Sequence, residues 1–167
     1  VEVIGNCNQH LETDSPLRTL ELNEAEAAAI SSYGLMTAKP VLYVANVDEL
    51  DLEGKDPLVQ RVRDHAENNG ARVVCVCAKL EAEIAELDEQ DRAEMLAEAG
   101  LEYPALSQIA REAYHTLGLQ SYFTAGEKEV RAWTVHVGAT APQAAGVIHT
   151  DFERGFIRAE VYTLDDL

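Results

Sequence analysis

The sequence predicts an α/β protein with a parallel sheet at its centre and a smaller, strand-containing region after it. Two nearly continuous apolar runs, residues 41–45 and 71–77, are rich in β-branched side chains. That is the pattern of strands buried on both faces of a parallel sheet. A helix-period segment lies between them, and strand–helix–strand is a βαβ crossover, right-handed in nearly all cases. From Leu119 the texture changes to short strands, one of them alternating, which places a domain boundary near that residue.

Composition bounds the rest. The 167 residues suit one average domain or two small ones, and 47% are apolar, enough to build a core. Acidic residues outnumber basic ones 30 to 13, a formal charge of −17. That excludes attachment to nucleic acid by global positive charge and leaves only a local basic patch. The imbalance is concentrated: residues 1–110 carry 22 acidic and 8 basic side chains, residues 111–167 carry 8 and 5. Cys7, Cys75 and Cys77 are an odd set without a Cys-x-x-Cys spacing. They read as core thiols in a reducing, cytoplasmic compartment rather than as zinc ligands. No apolar run approaches the roughly 18 residues of a membrane span, and the start has no signal-peptide pattern. The chain begins at Val1 without a Met and is expected to be a piece of a longer one.

Each element follows from local chemistry. Residues 1–20 have no clear period, and Asp14-Ser15-Pro16 reads as a loop. Asn23 before Glu24, Ala25 and Glu26 is an N-cap with an acidic first turn, and that helix ends at Gly34. The first strand stops at the polar cluster Asn46-Val47-Asp48-Glu49. Asp56-Pro57 starts a helix with Leu58, Val59, Val62 and Ala66 as its apolar stripe, closed by Asn69-Gly70. Residues 79–99 are helical and acidic, a solvated face. The helix 104–117 puts Leu106, Ile109, Ala113 and Leu117 on one side, with Gly118 beyond it. Strands follow at 119–125 and 130–137, then a short helix at 141–148 and a last strand at 156–162.

In open α/β sheets, ligands bind outside the carboxyl ends of the strands. Asn46-Val47-Asp48-Glu49 and Cys77-Ala78-Lys79 stand at two such ends. In GTPases those places hold Asn-Lys-x-Asp and Ser-Ala-Lys, whose Asp accepts hydrogen bonds from the guanine edge. Here Val47 replaces the Lys and leaves an apolar wall, and Glu49 is one methylene longer than Asp, which misplaces the guanine contact. An Asn amide can donate to a purine N7 and accept from an adenine amino group, whereas guanine presents a second acceptor there. The competing reading is that Asn46 and Glu49 merely cap the following turn.

Longer stretches carry a resemblance. Residues 37–49, 76–87 and 122–134, the last running Tyr122-Phe123-Thr124-Ala125-Gly126-Glu127-Lys128, resemble the YchF branch of the Obg-like ATPases. Residues 141–153 and 154–161 resemble that family's TGS domain. Together these segments cover 20–167 nearly without gaps, and Val47 and Glu49 favour YchF over branches that keep Asn-Lys-x-Asp. The resemblance implies a partial P-loop NTPase sheet followed by a β-grasp, ubiquitin-like TGS region. Residues 1–36 would be the tail of a helical insertion, 37–118 the C-terminal half of the nucleotide-binding domain, and 119–167 a truncated TGS domain. It further implies binding and hydrolysis of ATP, with GTP as the lesser substrate, and association with the ribosome or its RNA. Asn46, Val47 and Glu49 would lie at the base, with Cys77, Ala78 and Lys79 in the adjoining loop and the Ala78 N–H offered to the ligand. Cys77 stands where the family has Ser.

No Gly-x-x-x-x-Gly-Lys-Ser/Thr occurs, so nothing here cradles phosphates. The Mg²⁺ ligands of such an enzyme would also lie upstream, so no catalytic or metal residue is assigned and the chain alone is expected to be inactive. The alternative is a non-catalytic ribosome- or RNA-binding module. For that contact the candidates are Lys128, Arg131, Arg154 and Arg158, four of the five basic residues after position 110. Arg131 and His136 are five apart on a strand and face opposite ways. His10, His65 and His115 sit singly and read as structural. His149-Thr150-Asp151 reads as a turn in which Thr150 or Asp151 bonds backbone groups. Trp133 reads as core, with base stacking as its functional alternative.

Overall fold

In a computed structural model that describes residues 2–163 and 166, β1 (Leu42–Asn46) and β2 (Arg72–Val76) pair in parallel. Leu42 lies opposite Arg72 and Asn46 opposite Val76. The crossover between them is α3 (Pro57–Asn68). Its start follows the sequence chemistry: Asp56 accepts from the Leu58 N–H at 2.7 Å and Pro57 takes the first turn. The Tyr43 and His65 rings meet edge to face at 5.8 Å, which sets α3 on the Tyr43 side of the sheet. Helix α6 (Ala105–Thr116) packs on both strands, and its Glu112 reaches Arg72 at 3.2 Å, on the opposite face by strand alternation.

The strands are less enclosed than their composition predicts. Val44 is 48% exposed, and in β2 only Val74 is buried. The cause is width: among the described residues this sheet has two strands, so each has one unpaired edge.

The acidic segment 79–99 is two helices, α4 (Ala78–Ala85) and α5 (Glu89–Glu98). Asp88 breaks it by accepting from the N–H groups of Gln90 and Asp91, both at 3.0 Å, and so starting a new helix. Cys77, Leu80, Ile84 and Leu96 form the core beneath, with Leu52, Met95 and Leu101 packed on it. Nor is every acid in this run solvated without purpose. Glu81 accepts from the Ala105 N–H at 2.7 Å and caps α6.

Residues 2–11, where the sequence reading finds no period, are α1 (Glu2–Leu11). Tertiary packing seats it: Cys7 is buried with Leu17 and Ile30, and Val3, Leu20 and Leu22 close around them. His10 is structural, its Nε2 within 3.0 Å of Thr19 Oγ1 and 3.2 Å of the Pro16 carbonyl. Helix α2 (Glu24–Ser31) carries the expected Asn23 cap in reciprocal form with Glu26, both bonds at 3.0 Å. All three cysteines are free; Cys7 and Cys77 are buried and Cys75 is half-buried.

The chain divides into two compact units, residues 1–116 and 117–167. In the second, β3 (Leu119–Ala125) and β4 (Val130–His136) form an antiparallel pair with Tyr122 opposite Trp133. Helix α7 (Ala141–Ile148) packs on β4, and the Tyr122 hydroxyl donates to the Ala144 carbonyl at 2.8 Å. Two expectations fail here. Residues 149–151 are not an isolated turn: the His149 ring nitrogen accepts from the Asp151 N–H at 3.2 Å and caps α8 (Thr150–Arg154). Residues 156–162 form no strand, because a strand exists only within a ladder and the described residues give this segment no partner. Ile157 and Val161 are accordingly 91% and 86% exposed. Among the described residues no helix is long and apolar enough to cross a membrane.

Gly54 tests the packing between α3 and β2. It sits at φ +66°, and a Cβ there would meet Cys75 Sγ at 2.5 Å and Val59 Cγ1 at 3.0 Å. Gly34 has nearly the same φ, +59°, but open space around it. Gly54→Ala is expected to lose about 2–4 kcal/mol, strain plus overpacking, in urea unfolding. Gly34→Ala is expected to lose about 1 kcal/mol, the conformational part alone. Equal losses would refute the crowding.

Candidate functional site

The ladder of β1 and β2 brings the two strand ends together. The Val47 N–H extends it by donating to the Val76 carbonyl at 2.8 Å. The chain then turns through a short 3-10 helix, Glu49–Asp51, whose cap is Asp48, accepting from the Leu50 N–H at 3.0 Å. Neither Asn46 nor Glu49 caps that turn, which removes the simplest structural reading of both.

Asn46 does something else. Its Oδ1 accepts from the Ala78 N–H, 32 residues away, at 3.0 Å. The first N–H groups of a helix have no partner inside it. Cys77 occupies the N-cap position of α4 and makes no side-chain cap bond. Asn46 therefore caps α4 from the neighbouring strand. The Ala78 N–H, which the resemblance would offer to a ligand, is donated to Asn46 in this structure. What remains of Asn46 is its Nδ2 donor and the second lone pair of Oδ1.

Glu49 and Lys79 are paired across the same gap. Lys79 Nζ lies 2.9 Å from Glu49 Oε1 and 3.0 Å from Oε2, with Glu83 farther off at 4.0 Å. The hydrogen bond and negative charge of Glu49 raise the Lys79 pKa above the usual lysine value. The ammonium is exposed and the carboxylate half-buried.

The apolar members turn inward. Val47 packs on the cluster of Cys77, Leu80, Ile84 and Leu96, a core role that the sequence reading did not give it. Cys77 is 5% exposed, so its sulfur is withdrawn into that cluster. Of the six predicted residues, three polar side chains thus remain at the surface, Asn46, Glu49 and Lys79. A groove of about 300 Å³ does open on this unit, but beside Val73, Gln108, Arg111 and Glu112 and away from Asn46.

The four basic residues of the second unit sit on separate elements. Lys128 is in the β3–β4 turn, Arg131 on β4, Arg154 in α8 and Arg158 beyond it, all exposed. Arg131 stacks over Trp133 at 4.4 Å, and the indole N–H donates to Thr124 Oγ1 at 2.9 Å. Trp133 is therefore partly covered from one side by Arg131. Among the described residues no cluster of three or more His, Cys, Asp or Glu is placed to hold a metal ion.

If Asn46 caps α4, Asn46→Ala should cost about 1 kcal/mol of stability in urea unfolding. Amide exchange should accelerate at Ala78 more than at Glu81, whose N–H is held by the Cys77 carbonyl within the helix. Unchanged protection at Ala78 would show that the bond carries nothing.

Comparison with known proteins covers the same ground. A family model, YchF-GTPase_C, described as "Protein of unknown function (DUF933)", matches residues 119–167. The "Ribosome-binding ATPase YchF" of Pasteurella multocida is 53% identical over 156 residues, 93% of this chain and 43% of that protein. Its namesake in Escherichia coli O157:H7 is 52% identical over 164 residues, 98% of this chain and 45% of that protein. The Bacillus subtilis protein of that name is 44% identical over 169 residues, 99% and 46%. The chain thus spans less than half the length of these curated relatives. Among solved structures, the Schizosaccharomyces pombe YchF GTPase matches with a TM-score of 0.78 and 36% identity, over 93% of this chain and 42% of that one.

Proposed function

We propose, from the membership of this chain in the YchF-type Obg-like ATPases, that it carries the base-recognising half of an adenine-nucleotide site in a ribosome-associated nucleotide hydrolase. The observation that supports this most is the gathering of Asn46, Glu49 and Lys79 at the carboxyl ends of two adjacent parallel strands. In this reading residues 1–36 are the tail of a helical insertion, 37–118 belong to the P-loop domain, and 119–167 form a β-grasp TGS region.

The relatives' names speak of an ATPase in bacteria and a GTPase in the fission yeast protein. The choice of adenine rests on chemistry. Asn46 retains a donor for the purine N7 and an acceptor for the adenine amino group, and guanine places an acceptor where the second contact would form. Phosphate binding and Mg²⁺ must come from outside these 167 residues, which hold no Gly-x-x-x-x-Gly-Lys-Ser/Thr. We assign no Mg²⁺ ligand here. Without that cradle, positioning and charge stabilisation of the phosphates are missing, and these residues alone should not turn ATP over. A solely RNA- or ribosome-binding module is the second reading, favoured by the same missing cradle; ATP turnover by the full-length protein separates the two.

Competition binding on the full-length protein tests the base. Losing a well-made base contact costs about 1–3 kcal/mol. Asn46→Ala should weaken ATP accordingly, beyond its effect on stability, and Val47→Lys with Glu49→Asp should move preference toward GTP. A full-length protein that holds GTP more tightly than ATP would overturn the adenine assignment.

Ribosome contact is assigned to the second unit, because the first 110 residues are strongly acidic. Arg154→Glu with Arg158→Glu should weaken co-sedimentation with ribosomes, leave ATP affinity unchanged, and flatten the salt dependence by about one log–log unit per lost phosphate contact. Co-sedimentation indifferent to both reversals and to salt would make this unit a protein-docking or structural cap.

A further inference from the structure

We propose that the bare face of the β3–β4 pair is a stacking platform for unpaired RNA, with Phe123 as the ring on which a base lies. The inference rests on the assignment of ribosome contact to the second unit and deepens it, naming what is recognised and where. Opposite residues of an antiparallel pair share a face, and successive residues alternate between faces. With Tyr122 opposite Trp133 and Phe123 opposite Ala132, the ribbon sorts into two sides. Tyr122, Thr124, Trp133 and Val135 share the side on which α7 packs: the Tyr122 hydroxyl donates to the Ala144 carbonyl, and Val135 is buried. Ser121, Phe123, Val130, Ala132 and His136 share the other side, and all are exposed.

Phe123 stands 73% exposed in the middle of its strand. Its neighbours on that side are small, Ala132 opposite and Ser121 and Ala125 two residues along, so a planar group can approach the ring face. Trp133 has no such opening: Arg131 lies over it at 4.4 Å and it is half-buried on the α7 side. The stacking role that the sequence offers to Trp133 therefore falls to Phe123.

Three observations favour RNA as the occupant. In a chain with 30 acidic residues, none of the positions on this side (119, 121, 123 and 125 of β3, 130, 132, 134 and 136 of β4) is a carboxylate, so nothing there repels a phosphate backbone. The side is also too small for a stable protein interface. Two seven-residue strands cover about 23 Å by 10 Å, well under the roughly 800 Å² that each partner buries in a standard complex. Its polar members suit a nucleotide: the Ser121 hydroxyl can bond a base edge or a 2′-hydroxyl, and the His136 ring, about 13 Å along the ribbon, can take a second base. The RNA must be unpaired, because a base inside a duplex does not present its π face. In the turn beyond, Lys128 stands between Glu127 and Glu129, so stacking rather than charge supplies the affinity here.

The test is binding of fluorescently labelled octa-adenylate RNA to the full-length protein, read by anisotropy, beside co-sedimentation with ribosomes. Phe123→Ala should weaken the octanucleotide about tenfold, and by the same factor at low and high salt, because stacking releases no counterions. Phe123→Trp should bind at least as tightly as wild type. Phe123→Leu, apolar but without a π face, should fall with Phe123→Ala. Because the ring is exposed, urea unfolding should hardly change in any of the three. An octanucleotide that wild type does not bind, or that Phe123→Ala binds as wild type does, would overturn the proposal. Co-sedimentation lost in Phe123→Ala but kept in Phe123→Leu would overturn it too, and give the face to a protein partner. A wild-type protein that does not co-sediment with ribosomes would overturn the ribosome reading instead, while the octanucleotide still decides the platform.

Discussion

One register, Asn46 opposite Val76, holds together both the core and the candidate site of the first unit. Side chains alternate along a strand, so sliding β1 by one residue would send each to the other face. Asn46 would leave the Ala78 N–H, and Val47 would leave the cluster of Cys77, Leu80, Ile84 and Leu96. The apolar packing selects the register, and the register delivers the polar groups. The candidate site needs no long loop of its own, because it is assembled from Asn46 at the end of β1 and from Glu49 and Lys79 in the turns that leave the two strands, whose positions the core fixes.

The division between inward and outward residues at those strand ends follows from that. Val47 and Cys77 bury apolar surface, while Asn46 and Lys79 stay exposed and Glu49 half-exposed. Five polar or apolar choices within two short segments thus agree with one backbone arrangement. Agreement of that kind across levels is what makes a local structure well specified. The second unit shows the same economy on a smaller scale. Tyr122 and Trp133 face each other across the β3–β4 pair and spend their polar atoms on the Ala144 carbonyl and the Thr124 hydroxyl, so two large rings pack without stranding a donor.

What was legible in the sequence was the chemistry that acts within a few residues. The Asn23 capping box, the Asp56-Pro57 start, the Gly34 and Gly70 stops and both parallel strands are local signals, and the structure has them. What was not legible depends on partners far along the chain. Helix α1 carries Val3, Ile4, Cys7 and Leu11 at helical spacing, a short stripe that the sequence reading misses, and Cys7 seats it on Leu17 and Ile30. The acids looked alike in sequence, yet Glu81 caps α6 across 24 residues and Glu49 pairs with Lys79 across 30. Segment 156–162 fails the other way: it has strand composition, but composition without a ladder partner makes no strand. At the candidate site the residue types were readable while their bonds were not. The resemblance gives the Ala78 N–H to a ligand, and nothing in the local sequence announces its bond to Asn46.

That last bond also makes an apolar residue at position 77 tolerable. A serine before a helix ordinarily earns its place by accepting from the N–H groups of the first turn. Here one of those groups is satisfied from the adjacent strand, so the residue at the cap position is released from that duty. A thiol is a poor acceptor and a good small hydrophobe. Buried at 5% exposure, Cys77 joins Leu80 and Ile84 beneath the first turn of α4. A hydroxyl in the same place would need its own partner or incur a desolvation cost of about 1–3 kcal/mol. Asn46 and Cys77 thus divide the work at this helix start: the strand-end asparagine supplies the cap, and the residue at the capping position belongs to the core beneath it.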